Sequence, residues 1–309
     1  MNKKAKWSVC IGAAALLAAI AMEVCLFKAD PRYAWAAFAL EIAAAAAAVL
    51  FLVTAAGRLK WAAAFPLAAS LVCAVWNFVF LMPVKGGNFT EVIHAAGGGQ
   101  YLNSYELARE YAAGREYMEI DFAFTADGAL VCSHLFEYGG YSMQNRPTFE
   151  QFQNINFPGG VKGASASQVM DLLHEFPDLR IVFDTKEENS LPVINELLRL
   201  AEAADIDLYS RMIVQLYSAE DLKALDGVPF REYWFTNYKA NYSRRQIERY
   251  FGGDERVTTI VLSERNWVRK AYAGGVRGKK IAVHTVNDLR LAEFYARRGA
   301  DFVYCDYGF

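Results

Sequence analysis

The sequence predicts an α/β protein: a (β/α)8 TIM barrel over residues 88–309, preceded by three transmembrane α-helices within residues 1–87. Three observations predict it. The composition shifts abruptly near residue 85, from Ala, Leu, Val, Phe and Trp to a mixed, charged sequence. Beyond that point short β-rich runs alternate with amphipathic helical patterns. Polar residues then collect at the C-terminal ends of those runs, at His94, Asp121, Asp184, Gln215, Thr285 and Asp306. That is the functional rim of such a barrel. A doubly wound open sheet is the structural alternative and accounts for this collection less well.

Residues 7–27, 34–56 and 61–82 are apolar stretches. Each is near the roughly 20 residues a helix needs to cross a hydrocarbon core. A signal peptide is the poorer reading of the first, because two more spans follow and no clear small-residue cleavage site ends it. Glu41 would be a costly carboxyl inside the second span, and is expected to face a neighbouring helix or to be protonated. Lys3, Lys4, Lys6, Arg58 and Lys60 outweigh Lys28 and Arg32 on the other side, which favours a cytoplasmic N-terminus. Three crossings then place the catalytic domain outside a plasma membrane, with the lipid bilayer as a partner.

The formal net charge of −2 divides into a basic N-terminal segment and an acidic remainder. An acidic outer domain argues against nucleic acid as a partner. Cys132 and Cys305 lie in apolar strand-like runs, where a buried thiol is the ordinary explanation, and no metal-type cysteine spacing occurs.

The expected strands, in order, are 91–94, 117–122 with an extension to 134, 180–184, 212–215, 232–236, 258–262, 280–285 and 301–306. Helical patterns fall between them at 104–113, 167–175, 191–204, 218–225, 243–251, 265–273 and 288–298. Asn103-Ser104 and Asn287-Asp288 stand at cap positions, and Gly274 and Gly299 follow helices as stops. No eighth outer helix follows the last strand, a gap that residues 83–88 or the membrane would cover. A loop of about thirty residues separates His134 from the helix at Ser167, and loops this long are usually functional. It is expected to roof the pocket, with Tyr138, Tyr141 and Phe149 against a substrate alcohol.

Glu119 and Asp121 stand two apart in a strand, so both carboxylates share a face. Asp184 ends the neighbouring strand and supplies a third. A hard divalent cation wants such converging oxygens. Solvated strand-end charges are the bland alternative, but a carboxylate such as Glu119 pointing unpaired into a barrel would be costly. His94 and His134, ending runs on either side, are candidates for general base and acid. His174 belongs to a helix surface, and His284 sits near the rim. Gly97-Gly98-Gly99 is either an anion nest or a turn.

These residues resemble the glycerophosphodiester phosphodiesterases, relatives of the phosphatidylinositol-specific phospholipases C. The strongest part is E-I-D-F-x-F-T-x-D-G-x-L-V-x-S-H, from Glu119 to His134. His94, Asn103-Ser104, Asp184-Thr185-Lys186, Ile213-Val214-Gln215, His284-Thr285-Val286-Asn287 and Gly299-Ala300-Asp301 to Asp306 match the family's other motifs. There are departures. The family's His-Arg-Gly is His94-Ala95-Ala96, its Pro-Glu-Asn-Thr is Tyr101-Leu102-Asn103-Ser104, its His-Asp is His134-Leu135, and Asp184 stands for a Glu.

The resemblance implies a TIM barrel and one divalent cation, Ca2+ or Mg2+, on Glu119, Asp121 and Asp184. His94 and His134 would be catalytic, with Lys186, Gln215, His284 and Asn103 binding substrate. The implied reaction is hydrolysis of a glycerophosphodiester to glycerol phosphate and an alcohol, through a cyclic phosphate. The alternatives are a phospholipase acting on intact lipid headgroups, and a catalytically degenerate ligand-binding or signalling module.

Overall fold

Every β-rich run of residues 88–309 becomes a strand, and eight of the strands close in parallel. In chain order they are β1 (Thr90–Ile93), β2 (Tyr117–Phe124), β3 (Leu130–Cys132), β4 (Arg180–Thr185), β5 (Met212–Leu216), β6 (Tyr233–Thr236), β7 (Val257–Ser263), β8 (Lys280–His284) and β9 (Phe302–Cys305). The computed structural model describes residues 87–264 and 276–309, with the single positions Ile42 and Ala46. The three expected membrane spans and the helix at 265–273 lie outside the described residues. Among the described residues no helix is long and apolar enough to cross a membrane. Gly87–Phe309 forms one compact unit.

The order β1-β9-β8-β7-β6-β5-β4-β2 is closed by β1 pairing with β2, which makes a barrel and removes the edges an open sheet would have. Strand β3 is the extended run that follows the Asp127-Gly128 turn. It turns back antiparallel on β2, Phe122 opposite Cys132, so His134 rides on a hairpin arm beside the barrel.

Alternation along the strands decides what enters the barrel. Val92, Val182, Ile213, Trp234, Val261, Ala282, Phe302 and Tyr304 form its buried filling. Trp234 and Phe302 meet at 4.7 Å between ring centres, and Tyr117 packs against both. This aromatic plug is a dry floor. Above it, the same alternation on β2 brings Glu119 and then Asp121 inward, and the β2–β4 register sets Asp121 level with Asp184.

A second core lies between the strands and the surrounding helices. Those helices begin where the sequence supplies a cap: Ser165, Ser218 and Ser243 each accept a backbone N–H and form capping boxes, and Asp288 accepts from Arg290 and Leu291. Ser104 is an exception. Its hydroxyl donates to Glu106 at 2.7 Å, so that helix starts without a side-chain cap.

The long segment after His134 is folded. It contains a helix at Phe149–Asn154 and a 3-10 turn at Pro158–Gly160, and Phe136, Phe152 and Phe157 form a small core with Leu102, Ala123 and Val131. Tyr138, Tyr141 and Phe149 pack on that core. Arg146 ties the segment to the barrel: it reaches both carboxylate oxygens of Glu187 at 2.6 and 3.0 Å and the Phe124 carbonyl at 3.0 Å. At the other end of the chain the Phe309 ring stands edge-on to Phe89 at 5.7 Å.

Candidate active site

Three carboxylates converge on the C-terminal mouth of the barrel. Glu119, Asp121 and Asp184 each offer an oxygen within 4.8 Å of the others, and all three residues are buried. Each is held from behind. The Ala95 N–H donates to Glu119 Oε2 at 2.7 Å. Asn103 grips Asp121 twice, donating to Oδ2 and accepting the Asp121 N–H, both at 3.1 Å. The Thr185 N–H donates to Asp184 Oδ1 at 2.7 Å.

One cation answers these three charges. The Lys186 ammonium contacts Asp184 Oδ2 and lies 3.4 Å from Asp121 Oδ1. Its proximity holds the Asp184 carboxyl below the usual range despite burial. Burial and the two neighbouring carboxylates push Glu119 well above it, and Asp121 is raised by burial as well. With all three ionised against one ammonium, an excess of two negative charges would stand in a buried site, which is what a divalent ion neutralises, and the donors are all oxygen. A further polar atom is left over beside them. The Tyr304 hydroxyl, buried and subject to the charges of Glu119 and Asp184, makes no hydrogen bond. The residues present fit a hard divalent cation.

Both histidines are backed by a carboxylate. His94 follows β1 in a 3-10 turn and is 5 % exposed; its Nδ1 meets Asp306 Oδ1 at 2.7 Å, and its Nε2 lies 3.9 Å from Glu119. Asp306 is fixed in turn by Asn287, whose amide nitrogen donates to it at 2.6 Å. His134 Nδ1 meets Glu137 Oε1 at 2.5 Å, and Glu137 also takes the Leu135 N–H. In each ring Nδ1 is engaged and Nε2 is left for chemistry. Tyr101 stands between the two rings, stacked on His134 at 4.1 Å and edge-on to His94 at 5.0 Å.

The remaining expected residues divide. His284 lies in the site, 4.7 Å from the His94 ring and 5.0 Å from Tyr304, and burial followed by the His94 charge pushes its pKa down to about 3. It is a neutral wall. Gln215 faces inward on β5 with its carbonyl held by Thr236 at 2.6 Å. Asn103 is fully buried, with its amide on Asp121. His174 is exposed on its helix.

The glycine run is a turn and not an anion nest. Gly97 N–H donates to His94 O at 2.9 Å and Gly98 N–H to Asp306 O at 2.7 Å, so both donors are spent. At Gly97, with φ at +90°, a Cβ would come within 2.2 Å of the Tyr111 ring. Gly97→Ala is therefore expected to destabilise the protein by about 2–3 kcal/mol. A denaturant titration checks this; an unchanged midpoint would show that the loop carrying His94 is looser than its packing implies.

Sequence reasoning gave no role to Glu137, Tyr101, Tyr217 or Tyr238. Glu137 had a local signal, a carboxylate three residues after a histidine in a turn. Asp306 was placed on the rim, but nothing paired it with His94, 212 residues away.

No family model and no curated protein sequence matches the chain. Solved structures do. A glycerophosphodiester phosphodiesterase from Parabacteroides distasonis superposes with a TM-score of 0.56 at 18% identity, over 72% of this chain and 94% of that one. The fold is that of the glycerophosphodiester phosphodiesterases. One from Agrobacterium tumefaciens gives 0.54 at 16% identity, over 71% of this chain and 97% of its own. An Oleispira antarctica phosphodiesterase, in complex with the product sn-glycerol-3-phosphate, gives 0.54 at 15% identity, over 71% and 93%. The shared barrel accounts for nearly the whole length of these structures.

Proposed function

We propose that the protein is a metal-dependent phosphoric diester hydrolase that cleaves glycerophosphodiesters to glycerol phosphate and an alcohol. One observation carries the reading: two carboxylate-backed histidines stand at the mouth of a barrel over a buried trio of carboxylates. The likeness to phosphodiesterase folds, one of them holding sn-glycerol-3-phosphate, supports it.

Glu119, Asp121 and Asp184 would hold a Ca2+ or Mg2+ ion, which supplies polarisation of the phosphoryl group and neutralises charge as it builds there. The chain's own groups move the protons. One histidine, through Nε2, takes the proton of the substrate glycerol hydroxyl, and that oxygen attacks phosphorus. The other gives a proton to the departing alcohol, leaving a cyclic phosphate. Water opens the ring with the two roles exchanged. Asp306 and Glu137 hold the imidazoles in the tautomer and orientation this requires. His284, uncharged, and Gln215 line the pocket. The placement belongs to the proposal too: anchorage by residues 7–27, 34–56 and 61–82, with the barrel at the outer face of a plasma membrane. A barrel domain protected from protease in intact cells would refute that placement.

A second reading, hydrolysis of intact phospholipid headgroups, is favoured by Tyr101, Leu135, Tyr238 and Tyr307, large apolar side chains exposed on the rim loops. The full-length protein is assayed on glycerophosphocholine, glycerophosphoethanolamine, glycerophosphoglycerol and phospholipid vesicles, with Ca2+, Mg2+ or chelator. Release of alcohol from the soluble diesters, abolished by chelator, is the expected result. Turnover confined to vesicles supports the second reading, and no turnover with any metal leaves a ligand-binding module.

A further inference from the structure

The mouth of the barrel holds a second cation that the reaction scheme has not used. Lys239 follows β6 in the loop 237–242. Asn237 keeps that loop in place: its amide nitrogen donates to Tyr242 O at 2.9 Å, its carbonyl accepts the Tyr242 N–H at 2.7 Å, and its own N–H donates to Val261 O. Asn237 is fully buried, so the loop is fastened to the barrel wall. The Lys239 ammonium sits 3.9 Å from the centre of the Tyr217 ring. The Tyr217 hydroxyl accepts from that of Tyr238 at 3.2 Å. Lys186 lies 5.8 Å from the centre of the same ring.

Two ammonium groups thus attend one ring beside the acidic trio, and they differ in what they have left to offer. Lys186 is spent on Asp184 and Asp121. Lys239 has no carboxylate in ion-pairing range among the described residues. Lys239 is exposed at the rim, and an anion seated between it and Lys186 would meet two ammonium groups at once. Partial desolvation and the Lys186 charge depress the Lys239 pKa. Around the closed barrel, β6 stands four strands from β1 in either direction, so the loop that carries Lys239 lies across the mouth from the strand that leads to His94.

We propose that Lys239 is the phosphate-holding cation of this site, gripping a non-bridging oxygen of the diester from the side opposite His94. It would act as a specificity residue for anionic diesters. The inference rests on the phosphodiesterase reading and deepens it. The test is calorimetric titration of sn-glycerol 3-phosphate and of inorganic phosphate into the full-length wild type, Lys239→Ala and Lys239→Arg, with Ca2+ present. Turnover of glycerophosphoethanolamine by the same three proteins runs beside it. Lys239→Ala is expected to weaken glycerol 3-phosphate binding about tenfold or more. KM should rise by a similar factor with kcat less affected, and Lys239→Arg should recover most of both. Wild-type affinity in Lys239→Ala, or no binding of either anion to the wild type, overturns the proposal. If no protein turns over the diester, the phosphodiesterase reading fails, while the titration still decides: weakened binding in Lys239→Ala retains the anion site, and unchanged binding removes it.

Discussion

In the presence of chelator, Glu119→Gln is expected to melt above the wild type, and with Ca2+ or Mg2+ the order should reverse. The reason is the buried charge. Glu119 sits over an aromatic floor beside two other carboxylates, and its folded pKa is raised well above the ordinary 4.5. For an acid raised in the folded state, the folded chain keeps a proton that the unfolded chain has released. Stability is therefore lost as the pH rises through the window that opens near 4.5. The gap between variant and wild type should widen in that window, by up to about 1.4 kcal/mol per pH unit. His284 contributes a slope of opposite sign, because its folded pKa lies near 3 and its ordinary value is 6.5. That slope is common to both proteins and cancels in the difference. A bound cation stabilises only the protein that can hold it, by about 2.7 kcal/mol at a hundredfold excess over Kd. Thermal unfolding across pH, with metal and with chelator, measures both effects. A variant that melts below the wild type in chelator at every pH would mean that Glu119 is stabilised by its surroundings and needs no ion.

The second large effect falls on the histidines. His94→Ala and His134→Ala should each lower kcat by about 100- to 10,000-fold, the range that general acid or base catalysis contributes. Asp306→Asn and Glu137→Gln should lower kcat by less and leave KM almost unchanged, because they act through the rings they orient and do not touch substrate. Steady-state kinetics on a soluble glycerophosphodiester separates the two classes. A His94→Ala protein with activity within a few-fold of the wild type would remove the acid–base scheme.

How much of this the sequence carried depends on how local each signal is. Glu119, Asp121 and Asp184 were legible because period-two alternation fixes a shared face and neighbouring strands share a register. The eight barrel strands were legible for the same reason. The run that becomes β3 was legible after the Asp127-Gly128 turn, but not its direction, because an apolar run reads alike whether it joins the barrel or turns back on its neighbour. The bond from Asn103 to Asp121 was not legible, because a polar loop residue reads alike whether it faces a pocket or supports its neighbour. The Asp306 partner of His94 and the Lys239 position opposite it were beyond local reading, since barrel closure alone brings β1, β6 and β9 around one mouth. Arg146 and the aromatic packing of the long segment hold it in a fixed fold, which its Gly-, Tyr- and Asn-rich sequence did not make legible.

The central claim is that three carboxylates on β2 and β4 hold one divalent cation. Anomalous diffraction from crystals of the protein grown with Mn2+ tests it most directly. The account predicts a single strong peak among the carboxylate oxygens of Glu119, Asp121 and Asp184, absent in Glu119→Gln crystals grown the same way. A protein that hydrolyses its diester with no peak at that position, or with the peak at another set of residues, would contradict it.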